Sequence, residues 1–160
     1  MTEGKILAAS KHGAYVIRMT GDVRLTLSTT IDDYFDKMYD DDNFVSVWVD
    51  LCDAEGIDST TLGMLAKLAL EVKKKFGFTP AIYSCNSGIN RLLKSMGFQR
   101  LFNLHEEVCG TSEFANEIPV IAGTEQGVKE KVIDAHRVLM GISDDNKSRF
   151  KDLMAVLEAG

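Results

Sequence analysis

The sequence predicts an α/β fold: helices packed on a mixed, largely parallel sheet, with a helical hairpin added at the C-terminus. Three observations carry this. Short apolar runs of strand character alternate with segments whose apolar residues recur at helical spacing. Residues 44–51, Phe-Val-Ser-Val-Trp-Val-Asp-Leu, are apolar at nearly every position, as a strand covered on both faces demands. Two further amphipathic stripes follow a polar stretch near the C-terminus. Strands alternating with helices imply crossover connections, and therefore helices layered on parallel strands.

The elements follow in order. Residues 6–9 and 14–19 flank Lys11-His12-Gly13 and read as a β-hairpin, after which Gly21-Asp22-Val23 breaks the strand pattern. Leu27, Ile31, Tyr34, Phe35 and Met38 mark the first helix. The run Asp40-Asp41-Asp42-Asn43 behind it reads as an exposed loop rather than a metal site. After the apolar strand and a short loop, Leu62, Leu65, Ala66, Ala69, Val72 and Phe76 form a second helical stripe, stopped by Gly77. Lys73-Lys74-Lys75 suits that helix's C-terminal dipole as a solvated cap. Residues 79–85 make a strand with Pro80 at its entrance. Asn86 or Ser87 caps a third helix with Ile89, Leu92, Leu93 and Met96 inward, and Gly97 ends it. Residues 101–104 add an edge strand or a turn.

The main domain is expected over residues 1–110, a linker over 111–123, which is polar and contains Pro119, and a helical extension over 124–160. Val128, Val132, Ala135 and Leu139 form one stripe of the extension; Phe150, Leu153, Met154 and Leu157 form the other. Ser143 caps the second helix, with Asp144 and Asp145 in its first turn. Such a hairpin can pack on the main domain, pair two copies into a homodimer, or offer a second docking surface. If the hairpin is essential to partner binding, truncation after about residue 120 is expected to abolish the complex while leaving a folded core.

At 160 residues, 45% hydrophobic and 26% charged, the chain is an ordinary globular protein, long enough to bury a core. A net charge of -6 that no Lys/Arg cluster offsets argues against direct nucleic-acid binding. The three cysteines, Cys52, Cys85 and Cys109, lie far apart in sequence and read as reduced thiols. Cys52 and Cys85 end strands and read as small buried residues. No export signal or membrane span is visible, so a cytoplasmic location without membrane attachment is expected.

Enzymatic signatures are weak. Asp50 and Asp53 lack an accompanying phosphate-loop lysine and read as structural. His12, His105 and His136 are isolated, and no nucleophile–base pairing follows from spacing. His136 lies one position off its helix's apolar stripe and reads as a boundary residue, while Trp48 reads as core. A protein that is not an enzyme, with no metal and no cofactor, is expected.

The most purposeful segment is Ile57-Asp58-Ser59-Thr60-Thr61-Leu62-Gly63-Met64-Leu65, a helix start with three hydroxyls beside a carboxylate. Free N–H groups and the positive end of the dipole let such a start tolerate an added anion. A hydroxyl there can be phosphorylated without unfolding the helix. The plainer reading is that Asp58, Ser59 and Thr60 simply cap it.

Joined in this order, the elements resemble the STAS domain of bacterial anti-sigma factor antagonists. The strand over residues 45–51, the Asp58-Ser59-Thr60-Thr61-Leu62-Gly63 motif and its helix match that family's strand-loop-helix signature. Gly21-Asp22-Val23 resembles its glycine-acidic-aliphatic element, and Leu93-Lys94-Ser95-Met96-Gly97-Phe98 its last helix and glycine. The resemblance covers roughly residues 4–110, and Thr61 departs from it where the family commonly has glycine. It implies a STAS-like fold and a phosphate acceptor at Ser59, with Thr60 as the alternative. It further implies a partner surface including Asp22, Asp58, Ser59, Thr60, Thr61, Leu62 and Gly63. The implied partners are an anti-sigma factor, a serine kinase (often the same protein) and a PP2C-type phosphatase. Two other roles of STAS-like proteins stay open: a small-ligand or nucleotide sensor, and an accessory subunit of a lipid-transport complex.

Overall fold

The computed structural model describes residues 2–110 and 115–160. Strands β1 (Lys5–Lys11) and β2 (Ala14–Val23) form an antiparallel hairpin. Its two-residue turn puts both His12 (φ 52°) and Gly13 (φ 83°) in the left-handed region, as the turn type matching strand twist requires. Helix α1 (Ser28–Tyr39) returns the chain to β3 (Ser46–Asp50), which lies parallel to β2. Then come β4 (Ala54–Ile57), α2 (Ser59–Phe76), β5 (Ala81–Tyr83), α3 (Ser87–Ser95) and β6 (Asn103–His105). β7 (Asn116–Glu117), α4 (Glu125–Met140) and α5 (Asp144–Ala159) complete the chain.

The sheet runs β6-β5-β3-β2-β1-β7, with β4 pairing on β2 outside this path. Pairings of β2 with β3, β3 with β5, and β5 with β6 are parallel, while β1 is antiparallel to both neighbours. The mixed sheet with helices packed on it therefore agrees with the sequence reading. Helix ends also fall where expected: Gly77 closes α2 with φ 76°, its N–H donating to Lys73 O at 3.1 Å and Val72 O at 3.0 Å.

Four local expectations need correction. Gly21-Asp22-Val23 does not end β2; the strand continues through a register shift between Gly21 and Asp22 to pair with β4. β4 itself lies in what the sequence presents as a loop. The central strand is sealed on one face only: Val47 and Val49 enter the core, whereas Trp48 is half-buried opposite them. Trp48 pairs in register with Val16, and its indole N–H donates to Cys109 Sγ at 3.0 Å. Finally, of the segment read as a linker, residues 111–114 lie outside the described residues and the rest is partly structured, since β7 pairs with β1 and Ile118 N donates to Ile6 O at 2.8 Å.

The C-terminal hairpin packs on the main domain. Ala135, Leu139 and Phe150 belong to the same buried apolar cluster as Ile17, Val49 and Leu65. Asn146, fully buried, donates through Nδ2 to Met96 O at 2.9 Å and to Leu139 O at 2.8 Å. Arg100 Nη1 donates to Ile142 O at 2.7 Å. As a result α2 is covered by the sheet-side core and by α4. Thr60, Thr61, Gly63, Met64 and Leu68 are buried besides most of the predicted stripe, of which Phe76 is exposed.

Candidate functional site

The site is built at the start of α2. Asp58 has extended backbone (φ -84°, ψ 168°) and caps the helix, its Oδ1 accepting from Thr61 N at 2.9 Å. Its second oxygen, Oδ2, accepts from Leu25 N at 2.7 Å, in the short 3-10 turn Leu25–Leu27 before α1. One carboxylate thus ties two helix starts together. Asp22, at the end of β2, is engaged by Arg24 Nε at 2.6 Å.

Ser59 is the first residue of α2 and is half-exposed, while Thr60 (3% exposed) and Thr61 (1%) are buried. The expected docking residues Thr60, Thr61, Leu62 and Gly63 therefore do not form an open surface. Gly63 explains the geometry: a Cβ built there would lie 2.3 Å from Ala135 O, so only glycine lets α4 come this close. Asp22, Asp58 and Ser59 are the members of the predicted set that retain solvent access.

The residue that sequence reasoning missed is His136. It is 2% exposed, and its Nε2 lies 2.8 Å from Ser59 Oγ, across 77 residues of chain. Its Nδ1 lies 2.7 Å from Val132 O. A carbonyl only accepts, so Nδ1 carries the hydrogen, and in the neutral ring Nε2 receives the Ser59 O–H. Phe150 packs edge-on against the ring, with centroids 5.0 Å apart. A usable signal existed: His136 stands four residues after Val132 and three before Leu139, so it belongs to the buried stripe rather than its border.

The remaining candidates are structural. Asp50 Oδ1 accepts from Cys52 N at 2.9 Å, and Asp53 pairs with Arg18. In the acidic run, Asp41 accepts from Tyr15 Oη at 2.5 Å and from Asn43 N at 2.9 Å. His105 stacks on Tyr83, with ring centroids 4.7 Å apart. The cysteine reading needs revision: Cys85 is exposed, and adjacent strand ends bring its Sγ within 2.8 Å of Cys52 Sγ. Burial and the Cys85 thiol push Cys52 up to about 12, which makes it a poor nucleophile near neutrality.

A cleft of about 460 Å³ lies between α1, α2 and α4, and its charges are largely mutual. Lys67 binds Asp134 at 2.8 Å, Lys75 binds Glu71 at 3.3 Å, and Lys131 faces Asp32 at 3.7 Å. Burial and the neighbouring Asp32 hold Asp36 above the usual carboxylate range. Among the described residues no group of three or more His, Cys, Asp or Glu could hold a metal ion, and no helix is long and apolar enough to cross a membrane.

No curated protein matches the chain. Among solved structures it is similar to an anti-sigma factor antagonist from Mycobacterium paratuberculosis, with 17% sequence identity and a TM-score of 0.57. That alignment covers 66% of this chain and 87% of the other, and at this identity it speaks for the fold. Residues 5–110 match the family model of the STAS domain, a span that holds every element from β1 to β6 and the whole of the Asp58-Ser59 helix start. The chain belongs to the STAS domain family.

Proposed function

We propose that the chain is an anti-sigma factor antagonist of a partner-switching pathway. It binds an anti-sigma factor while Ser59 is unmodified and releases it when Ser59 is phosphorylated. The observation that carries this reading is the contrast at the start of α2. Of three consecutive hydroxyls, Ser59 alone is half-exposed, and it follows the capping carboxylate directly. Thr60, buried at 3%, is disfavoured as the acceptor. Family membership and the likeness to a structure described as an anti-sigma factor antagonist support the same role.

The physical logic is local. A phosphate adds about -1.5 to -2 charge beside Asp58, at a helix end whose dipole tolerates it. At a packed interface the same group brings bulk and a desolvation cost. A loss of ~3 kcal/mol weakens binding roughly a hundredfold, enough to free a partner without rearranging the fold. The docking surface then consists of Asp22, Asp58, Ser59 and the solvent side of α4, since Thr60 to Gly63 lie underneath. A serine kinase and a PP2C-type phosphatase complete the cycle, and the nucleotide is consumed by the kinase. The mutually paired charges of the α1–α2–α4 cleft give no comparable support to a small-ligand sensor.

Affinity capture with wild type, Ser59→Ala and Ser59→Asp tests the proposal. The anti-sigma factor should be retained by the first two and lost by the third. Identical partner sets for Ser59→Ala and Ser59→Asp would sink it. Phosphate incorporation by the cognate kinase should vanish in Ser59→Ala; undiminished labelling removes Ser59 as the acceptor.

A further inference from the structure

We infer that His136, supplied by the C-terminal extension, is the group that receives a phosphate placed on Ser59 and pairs with it as an imidazolium. The inference rests on the reading of Ser59 as acceptor and adds a residue outside the 5–110 span that defines the family match.

The hydrogen-bond directions carry it. With the ring neutral, Nδ1 donates to Val132 O at 2.7 Å and Ser59 Oγ donates to Nε2 at 2.8 Å. Phosphoryl transfer from a nucleoside triphosphate forms a bond between Oγ and the γ-phosphorus. The bond from that phosphorus to the departing nucleoside diphosphate breaks, and the hydroxyl proton must leave Oγ. That proton already lies between Oγ and Nε2, so the balanced outcome nearest the starting geometry leaves it on His136. Without it, a nitrogen lone pair would face phosphate oxygens with no hydrogen between them, a buried acceptor left unsatisfied. With it, Nδ1–H still serves Val132 O and Nε2–H serves the phosphate.

Two features favour protonation of the ring over displacement of α4. First, the helix cannot retreat cheaply: Ala135 O rests against the bare Cα of Gly63, and Ala135, Leu139 and Phe150 are part of the common core. The ring itself is 2% exposed and braced by Phe150. Second, Ser59 is half-exposed, so the phosphate has solvent on one side while one oxygen stays within reach of Nε2. Of the nearby carboxylates, Asp22 is already engaged by Arg24, and Asp58 is held by the N–H groups of Thr61 and Leu25. The extension then acts as an internal receptor that draws the phosphate toward α4.

Phosphoserine installed at position 59 of the full chain by genetic code expansion tests this, with phosphoserine at the exposed Ser87 of α3 as reference. Phosphorus NMR should place the second ionisation of the phosphate at 59 at least about one unit below that at 87, which is expected near about 6. His136→Gln, which keeps a polar side chain but carries no charge, should return it to the reference value. Nitrogen NMR of the His136 ring at neutral pH should show Nε2 protonated in the phosphorylated protein only, a readout that needs no variant. Equal ionisation at 59 and 87 overturns the inference. So does a lowered value that survives His136→Gln, or a ring that stays neutral while α4 amides lose exchange protection. Because the phosphate is installed directly, a kinase that fails to label Ser59 would remove the proposed function and leave this result standing.

Discussion

Helices α2 and α3 begin alike and end up in different surroundings. Both follow strands of the parallel part of the sheet, and both are capped by an Asx side chain, Asp58 or Asn86. Both place a serine first, Ser59 or Ser87. At α3 the pattern is only a cap: Asn86 Oδ1 accepts from Gly88 N and Ile89 N, and Ser87 points into solvent. At α2 the same local chemistry is overlaid by α4, and the serine acquires a buried histidine. The cap motif sets up a helix start; a partner element from elsewhere in the chain makes it a site.

Gly63→Ala should give the largest separation between the two helices. Helix propensity alone predicts a gain of about 1 kcal/mol for glycine to alanine. The new Cβ would meet Ala135 O at 2.3 Å, so a net loss of about 2 to 3 kcal/mol is expected in chemical denaturation. Gly88→Ala in α3 meets only Asn86 Oδ1, at 3.2 Å, and should be neutral or slightly stabilising. A stabilised Gly63→Ala would show that α4 does not sit on α2 in solution.

Next in size are the caps. Asp58→Ala strands two backbone N–H groups on separate elements and should cost about 2 kcal/mol, against about 1 kcal/mol for Asn86→Ala. Equal losses would mean that the bond to Leu25 contributes nothing. The smallest effect belongs to the serines. Ser59→Ala leaves Nε2 of a buried ring without its donor and should cost about 1 kcal/mol, seen as a fall in melting temperature of about 2 to 4 °C. Ser87→Ala should stay within about 0.5 kcal/mol of wild type. If both serines behave like Ser87, the contact with His136 carries no energy.

Most of the scaffold is legible in the sequence because its signals are local. His12-Gly13 marks the hairpin, Asp58 and Asn86 mark helix starts, and Gly77 and Gly97 mark stops. The order of these signals is enough to give the family and a candidate acceptor. What stays hidden depends on distance along the chain. Nothing near residue 59 points to residue 136. A single-stripe reading of α2 cannot reveal that a second helix will bury its opposite side, which is why Thr60 to Gly63 look like surface. Cys52 and Cys85 look unrelated until the order β5-β3 places their strand ends side by side. β4 and β7, at four and two residues, are too short to show a periodicity of their own.

Asn146 has a consequence for how the molecule unfolds. Its Nδ2 joins the end of α3 to the end of α4, and Asn146, Met96 and Leu139 are all buried. Melting the hairpin alone would take the Asn146 bond from the Met96 carbonyl and remove Ala135, Leu139 and Phe150 from the common core, so the hairpin is expected to unfold together with the main domain. Calorimetry should accordingly record one heat-absorption peak, with calorimetric and van't Hoff enthalpies in agreement. The family match ends at residue 110, whereas the buried core runs on across that border into the C-terminal helices.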